Sequence, residues 1–394
     1  MNKPKQKILV DARTIGGEGQ GVVTYLKGLY NAFHHRYGSE YELRFAGYDF
    51  QAMKGAFPFL EPRQFVPVRS RSRLQLFFRE FPAILRREGC QFAHFQYMVP
   101  FSRASRFIVT THDVLFNDFP ADFGRWYILQ RNWLCARGLW QSAVRLTVSE
   151  YSRMRIAHHY GIPKETIAVT PNAVPAVYFE PYSKEEAQQY IRRRYGIENF
   201  VLFVSRIEPR KNHQLLMKAY RELRLAERQI QLVFIGNDTL NTTSVVRQIK
   251  SLQEAFPGKF HWLSYVEGDD LLQFYRAARL FVYPSKAEGF GIPPLEAAAA
   301  RVNTLCSNAT AMGDFDFFGP NHFDPEDEGA FFRLLSENLR RLPDPRRLQT
   351  IAQTIRQRYS WEAAAEVLHS ELLRVQGETQ PAVPISALPA TQEV

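Results

Sequence analysis

Val282-Tyr283-Pro284-Ser285-Lys286-Ala287-Glu288-Gly289-Phe290-Gly291-Ile292-Pro293-Pro294-Leu295-Glu296-Ala297-Ala298-Ala299-Ala300 reads as a strand end, a glycine-bearing turn and a helix start. Seven residues separate Glu288 from Glu296. Gly289 and Gly291 let backbone N–H groups approach a ligand closely. A helix N-terminus adds free N–H donors and a partial positive charge, which suits a phosphate. The two carboxylates accept from hydroxyl groups. Phosphate donors between two hydroxyl acceptors suit a nucleotide sugar. Each glutamate alone has a bland reading, Glu296 as a complement to the helix dipole and Glu288 as a loop carboxylate. Their joint placement around Gly289-Phe290-Gly291 and Pro293-Pro294 makes coincidence the weaker account.

Working outward, the chain around this stretch alternates strand and helix. Runs at 200–205, 231–235, 260–263 and 280–283 read as strands, with helices at 212–224, 245–255, 269–278 and 293–300 between and after them. An earlier series has strands at 8–10, 41–48, 92–96, 107–111 and 146–149, and helices at 22–37, 74–87, 126–141 and 151–160. Such alternation predicts α/β units with parallel sheets covered by helices. Prolines 171, 175 and 181 separate the two series. The expected division is a first Rossmann-like domain over 1–180, a second over 181–357, a terminal helix over 358–376 crossing back to the first, and a disordered tail over 377–394. Two doubly wound domains facing each other leave a cleft, and ligands bind beyond the carboxyl ends of the strands.

Three further segments fall at such strand ends. Val204-Ser205-Arg206-Ile207-Glu208-Pro209-Arg210-Lys211-Asn212 places Arg206 as a planar fork and Lys211 as a point charge, both suited to a diphosphate. Thr110-Thr111-His112-Asp113 offers a histidine to the cleft, against the commoner reading of a structural histidine. Gly16, Gly17, Gly19 and Gly21 make the turn after the first strand glycine-rich. This turn does not satisfy G-x-G-x-x-G, because Val22 stands where the third glycine should be. A nicotinamide oxidoreductase is therefore disfavoured. Asp314-Phe315-Asp316 is isolated, and no metal site is expected from it. Cys90, Cys135 and Cys306 are odd in number and far apart, so neither a disulfide framework nor a CxxC metal site is visible.

The net charge of +10 favours acidic partners. Eight arginines between 69 and 106 face only Glu80 and Glu88, with Leu74, Phe77, Phe78, Phe81 and Leu85 interleaved. Residues 69–87 read equally as a basic amphipathic helix on an anionic membrane surface and as a core-packing helix with a solvated face. Nucleic acid is not expected, since no binding motif accompanies the charge. No apolar run approaches the ~18 residues of a membrane span. The expected location is cytoplasmic, with peripheral attachment to the inner face of the cell membrane as the second reading.

Taken in order, these segments resemble the family 4 glycosyltransferases, retaining enzymes of the GT-B fold. The resemblance covers about residues 7–375. It rests on Glu288…Glu296 and Arg206…Arg210-Lys211-Asn212, supported by His112-Asp113, Val148-Ser149-Glu150-Tyr151-Ser152, Val169-Thr170-Pro171-Asn172, Phe323-Asp324-Pro325 and Tyr359-Ser360-Trp361-Glu362. Gly21-Val22-Val23-Thr24-Tyr25-Leu26 is similar to the mannosyltransferase-like branch. The resemblance implies that Arg206 and Lys211 hold the donor diphosphate, helped by N–H groups near Phe290 and Gly291. It implies that Glu296 accepts from the ribose, that Glu288 faces the donor sugar, and that His112 sits at the transferred sugar. The Gly16–Gly21 turn would lie near the diphosphate or acceptor. No metal and no cofactor are expected. The implied partners are a nucleotide-diphosphate sugar, such as GDP-mannose, and a glycan or lipid-linked acceptor in surface polysaccharide synthesis. Ala173, Ser205 and Arg301-Val302-Asn303 depart from the family pattern. A GT-B-like nucleotide-sugar epimerase and a non-catalytic nucleotide-sugar-binding subunit are the competing readings.

Overall fold

The computed structural model describes residues 5–17, 20–238 and 243–377. The expected tail over 377–394 lies outside the described residues from 378 onward, as does Gly19 of the glycine turn. The chain divides into two compact units, Met1–Asn172 with Ser360–Val394, and Ala173–Tyr359. The observed boundaries at 172/173 and 359/360 differ by eight and two residues from those expected at 180 and 357.

In the first unit the strands are β1 (Gln6–Asp11), β2 (Tyr41–Gly47), β3 (Phe65–Pro67), β4 (Phe92–Gln96), β5 (Arg106–Thr110), β6 (Ser142–Thr147) and β7 (Ile167–Val169). They pair in parallel in the order β3-β2-β1-β4-β5-β6-β7. The second unit has β8 (Phe200–Val204), β9 (Gln231–Ile235), β10 (Phe260–Leu263), β11 (Leu280–Tyr283), β12 (Thr304–Ser307) and β13 (His322–Phe323), ordered β10-β9-β8-β11-β12-β13. Central strands are apolar on both faces. Val201, Leu202, Phe203, Leu280, Phe281 and Val282 are all buried, as a sheet covered by helices on each side requires. Each order reverses once, between β1 and β4 and between β8 and β11. Those switch points fix where loops diverge and leave room for a ligand.

Helix Trp361–Gln376 packs against helix Gln20–Tyr37 within the first unit. Trp361 fills a notch that exists only because residue 28 is glycine, where a Cβ would sit 2.0 Å from the indole ring. The ring cannot retreat as a flexible chain end would. Gly28→Ala is therefore expected to cost about 2–3 kcal/mol through overpacking and to lower the melting temperature by several degrees. An unchanged calorimetric melt would show that the terminal helix contributes little.

The expected helix over 74–87 is broken into Arg73–Gln75, a π-helical turn Leu76–Glu80 and Phe81–Glu88. Pro82 lacks an N–H, so the preceding turn cannot keep regular α-helical bonding. Its apolar side chains Leu76, Phe77, Phe81, Ile84 and Leu85 are buried in one core cluster with Phe95 and Val109. That apolar face is not free to enter a bilayer, so the core-packing reading describes this helix. Leu74 and Phe78 stay exposed. The strand expected at 146–149 begins earlier, at Ser142, and ends at Thr147, because Ser149 caps helix Glu150–Tyr160 by accepting from the Ser152 N–H. No described helix is long and apolar enough to cross a membrane.

Candidate functional site

In the second unit, the loops leaving β8 and β11 emerge side by side at the switch point. The β8 loop runs through a short 3-10 turn, Pro209–Lys211, into helix His213–Glu222. The β11 loop runs through Glu288 into helix Ile292–Ala299. Glu288 is buried where the two loops meet. Its Oε1 accepts from Lys211 Nζ at 2.6 Å and from the Tyr283 hydroxyl at 2.8 Å, and its Oε2 accepts from Arg210 at 3.1 Å. The Glu288 N–H donates to Thr310 Oγ1 at 2.8 Å, and that hydroxyl donates back to the Glu288 carbonyl at 3.1 Å. Burial alone would raise the pKa of this carboxyl. The charges of Lys211 and Arg210 outweigh burial and hold it at about 2, so Glu288 is a carboxylate at any physiological pH.

Arg210 also pairs with the buried Glu208 at 2.6 Å. Arg206 and Lys211 are the cations expected at the diphosphate. Arg210 and Lys211 are the two that grip Glu288. Arg206 stands apart, 43% exposed and 3.9 Å from Glu208, with its guanidinium turned to solvent. Lys211 Nζ has three N–H donors, and Glu288 and Tyr283 account for two of them.

Glu296 lies two turns along the same segment and accepts from the Tyr275 hydroxyl at 2.8 Å. Burial raises its pKa to about 7, against the opposing effect of that hydrogen bond. One short motif thus carries two carboxyls of opposite character, one held ionised and one poised between forms. Helix Ile292–Ala299 starts after Gly291, whose φ of +100° suits glycine. Its first turn is poorer in donors than a helix start usually is, because Pro293 and Pro294 carry no N–H. Phe290 is buried, edge-on to Phe315 and Tyr359, so its side chain belongs to the core.

In the first unit, the turn after β1 holds Gly16 at φ +85° and Gly17, while Gly21 lies inside helix Gln20–Tyr37. Arg13 in this turn grips Asp11 with two bonds of 2.7 and 2.8 Å. Just beyond β5, the buried His112 Nε2 lies 2.7 Å from Gln96 Oε1 at the end of β4. Burial, followed by Arg131, lowers the His112 pKa to about 4, so the ring is neutral near pH 7. Because Gln96 Oε1 only accepts, Nε2 carries the proton and Nδ1 is left as the acceptor. Behind it, His94 is bonded to Tyr30 at 2.6 Å and to Thr110 at 2.8 Å, which stiffens the strand ends carrying His112 and Gln96. Asp113 accepts from the Leu115 N–H. Thr14 Oγ1 and Thr111 Oγ1 are buried without a hydrogen-bond partner, one in the glycine turn and one beside His112. Unmet polar groups of this kind are costly unless a ligand or water satisfies them.

The sequence stretches alone do not single out Gln96, Tyr275, Tyr283 or Thr310. Each lies on a different element from its partner or, for Tyr283, within the strand itself. Only Tyr283 carried a signal, as the last strand residue before the Glu288 loop.

Two α/β units, each with a parallel sheet and a loop cluster at its switch point, define the architecture of GT-B glycosyltransferases. Two family models match, Glycosyltransferase Family 4 over residues 19–177 and Glycosyl transferases group 1 over residues 183–316. The chain belongs to this glycosyltransferase family. It is 29% identical over 266 residues to O-antigen chain mannosyltransferase B of Escherichia coli, covering 66% of this chain and 68% of that protein. It is 28% identical over 225 residues to the serotype-specific mannosyltransferase WbdA of Escherichia coli, covering 56% of this chain but 27% of that longer protein. Among solved structures, a glycosyltransferase from Rickettsia africae superposes with a TM-score of 0.70 at 14% identity, covering 96% of this chain and all of that one. Anabaena Alr3699/HepE in complex with UDP and glucose gives 0.68 at 16% identity, covering 94% of this chain and all of that one. At these identities the structural likeness speaks for the fold.

Proposed function

We propose that this chain is a retaining glycosyltransferase that moves a hexosyl group, mannosyl by its relatives' names, from a nucleotide-diphosphate sugar to a glycan or lipid-linked acceptor in surface polysaccharide synthesis. The observation that carries this reading is the buried Glu288 held by Lys211 and Arg210 at a switch point, with Arg206 exposed on the same β8 loop as those two cations. Arg206 and the third N–H of Lys211 neutralise the diphosphate, and backbone donors around Gly289 and Gly291 supplement them. Glu296 accepts from the ribose hydroxyls. Glu288 meets hydroxyls of the donor sugar. His112 presents a neutral ring, and the Gly16–Gly17 turn allows close backbone approach. Charge on the departing diphosphate is met by Arg and Lys, so no metal is required. The leaving phosphate takes the acceptor proton on the same face of the sugar, which retains the anomeric configuration.

A thermal-shift screen against GDP-mannose, UDP-glucose and ADP-glucose tests the reading, since a ligand bound to the folded state raises its melting temperature. No shift with any nucleotide diphosphate sinks it. Full turnover in chelator would support metal independence, and the product anomer read by NMR decides retention. Glu296 adds a pH signature. Its folded pKa near 7 lies above the ordinary carboxyl value, so its share of apo stability is present in acid and lost as pH rises through 7. Its carboxylate form, the better ribose acceptor, gains over the same interval. Nucleotide affinity measured by calorimetry is therefore expected to rise from pH 6 to 8, by roughly three- to tenfold, and Glu296→Gln should flatten that rise. A dependence unchanged in Glu296→Gln would assign it to the phosphate instead.

A further inference from the structure

Helix Arg125–Gln141 in the first unit carries three of the chain's five tryptophans, at 126, 133 and 140. A spacing of seven residues puts them on one side of a helix. That side faces outward, with Trp126 85%, Leu129 62%, Trp133 59% and Trp140 59% exposed. The helix cannot roll to hide them. Its opposite side buries Cys135, Gly138 and Leu139, and a Cβ at Gly138 would sit 2.6 Å from the Tyr97 carbonyl.

The crossover beside this helix widens the apolar surface. Parallel strands are usually joined through a helix, but β4 and β5 are joined by residues 97–105, which hold no helix. Phe101 of that connection stacks on the exposed Phe78 at 4.0 Å and on Trp133 at 6.3 Å, with the Arg137 guanidinium 3.6 Å from its ring centre. An unbroken aromatic stack thus joins the tryptophan side to residue 78.

The charge around it is mainly basic. Arg73, Arg79, Arg86, Arg103 and Arg125 are exposed. Of the acids nearby, Glu80 is engaged with the Arg69 and Ser70 N–H groups, Glu88 with Arg87 and Arg44, and Asp118 with Arg155. We propose that the tryptophan side of helix Arg125–Gln141, together with Phe78 and Phe101, docks this protein onto an anionic lipid bilayer. Indole rings favour the headgroup boundary, where one edge is apolar and the other wet. Arginines at the rim meet anionic headgroups, each strengthening attachment about fivefold. A second copy of the chain fits less well, because a two-fold contact would bring these arginines against one another. The proposal does not depend on the reaction assigned to the loop clusters described above.

The test is flotation of the full-length protein with vesicles of phosphatidylcholine alone and of phosphatidylcholine mixed with phosphatidylglycerol. Binding is expected to the mixed vesicles, weakened by salt. Trp126→Ser/Trp133→Ser/Trp140→Ser should reduce it at least about tenfold, and Arg79→Glu/Arg103→Glu should reduce it with the aromatic side intact. Since these residues are exposed, both variants should melt as the parent does. If the triple variant fails to fold, brominated lipid chains should quench the parent's tryptophan fluorescence. Absence of binding to mixed vesicles, binding undiminished in both variants, or no quenching would overturn the proposal. Self-association abolished by the triple variant, without vesicle binding, would assign the surface to a second copy and overturn it too.

Discussion

Replacing Glu288 with glutamine is expected to lower turnover by about a hundredfold or more, with a much smaller change in the KM for the nucleotide sugar. The isosteric amide keeps the shape of the site and removes its negative charge. It also leaves Lys211 and Arg210 beside a neutral group, and Lys211 is almost fully buried. Removing one partner of such a pair costs about 3–5 kcal/mol, so Glu288→Gln should also melt lower. The two losses separate by assay temperature. Turnover measured well below the melt reports the site, and calorimetry reports the ion pair. The Glu288 pKa near 2 lies below the ordinary carboxyl value. The stability this charge contributes is therefore present above about pH 4.5 and lost as pH falls toward 2. Glu296→Ala should behave differently, weakening nucleotide binding with less effect on turnover at saturation. Equal and negligible effects of both substitutions would reduce the two glutamates to ornaments of a helix start.

Gly236→Ala is the second substitution with a large expected effect, although residue 236 is in neither motif. It follows β9 with φ +144°, and a Cβ there would fall 2.0 Å from the Ser205 carbonyl oxygen. Both sides of the clash are backbone. They are held by bonds from the Ser205 N–H to the Ile235 carbonyl and from the Ile207 N–H to the Asn237 carbonyl, each 2.9 Å. The Trp262 indole donates to the Gly236 carbonyl at 2.8 Å and locks it further. Neither strand end can move without displacing Arg206. A cost of about 3 kcal/mol or more is expected, with weaker binding of the nucleotide. Gly258→Ala is the control. It also has positive φ, +68°, but nothing lies within 4 Å of its Cβ position, so it should cost only about 1 kcal/mol. Equal melting temperatures for the two variants would show that the close approach at Gly236 is easily relaxed.

Much of this molecule was legible from residue order. Strands at 92–96, 231–235, 260–263 and 280–283 begin and end where the apolar runs do, because buried parallel strands need continuous apolar residues. The short strands Phe65–Pro67, Ile167–Val169 and His322–Phe323 were not legible, since two or three residues carry no period. For residues 74–87 the pattern is the same for a core helix as for a membrane helix. Only the neighbours Phe95 and Val109 reveal what covers the apolar side.

The sequence by itself determined two α/β units, the strand-end placement of Arg206, Lys211, His112 and Glu288, and the family. The units and the strand-end placements follow from local periodicity and spacing, and the family from the resemblance of the ordered motifs. Tertiary structure alone decided that Arg210, with Lys211, closes on Glu288, and that the Tyr275 hydroxyl donates to Glu296. It also decided that Gln96 sets the tautomer of His112. Each of these joins residues on different elements, and which elements meet depends on strand order and on where that order reverses. The character of the two glutamates depends on it as well. Both are glutamates, yet one pKa is held at about 2 by the charges of Lys211 and Arg210, and burial raises the other to about 7 against the hydrogen bond from Tyr275.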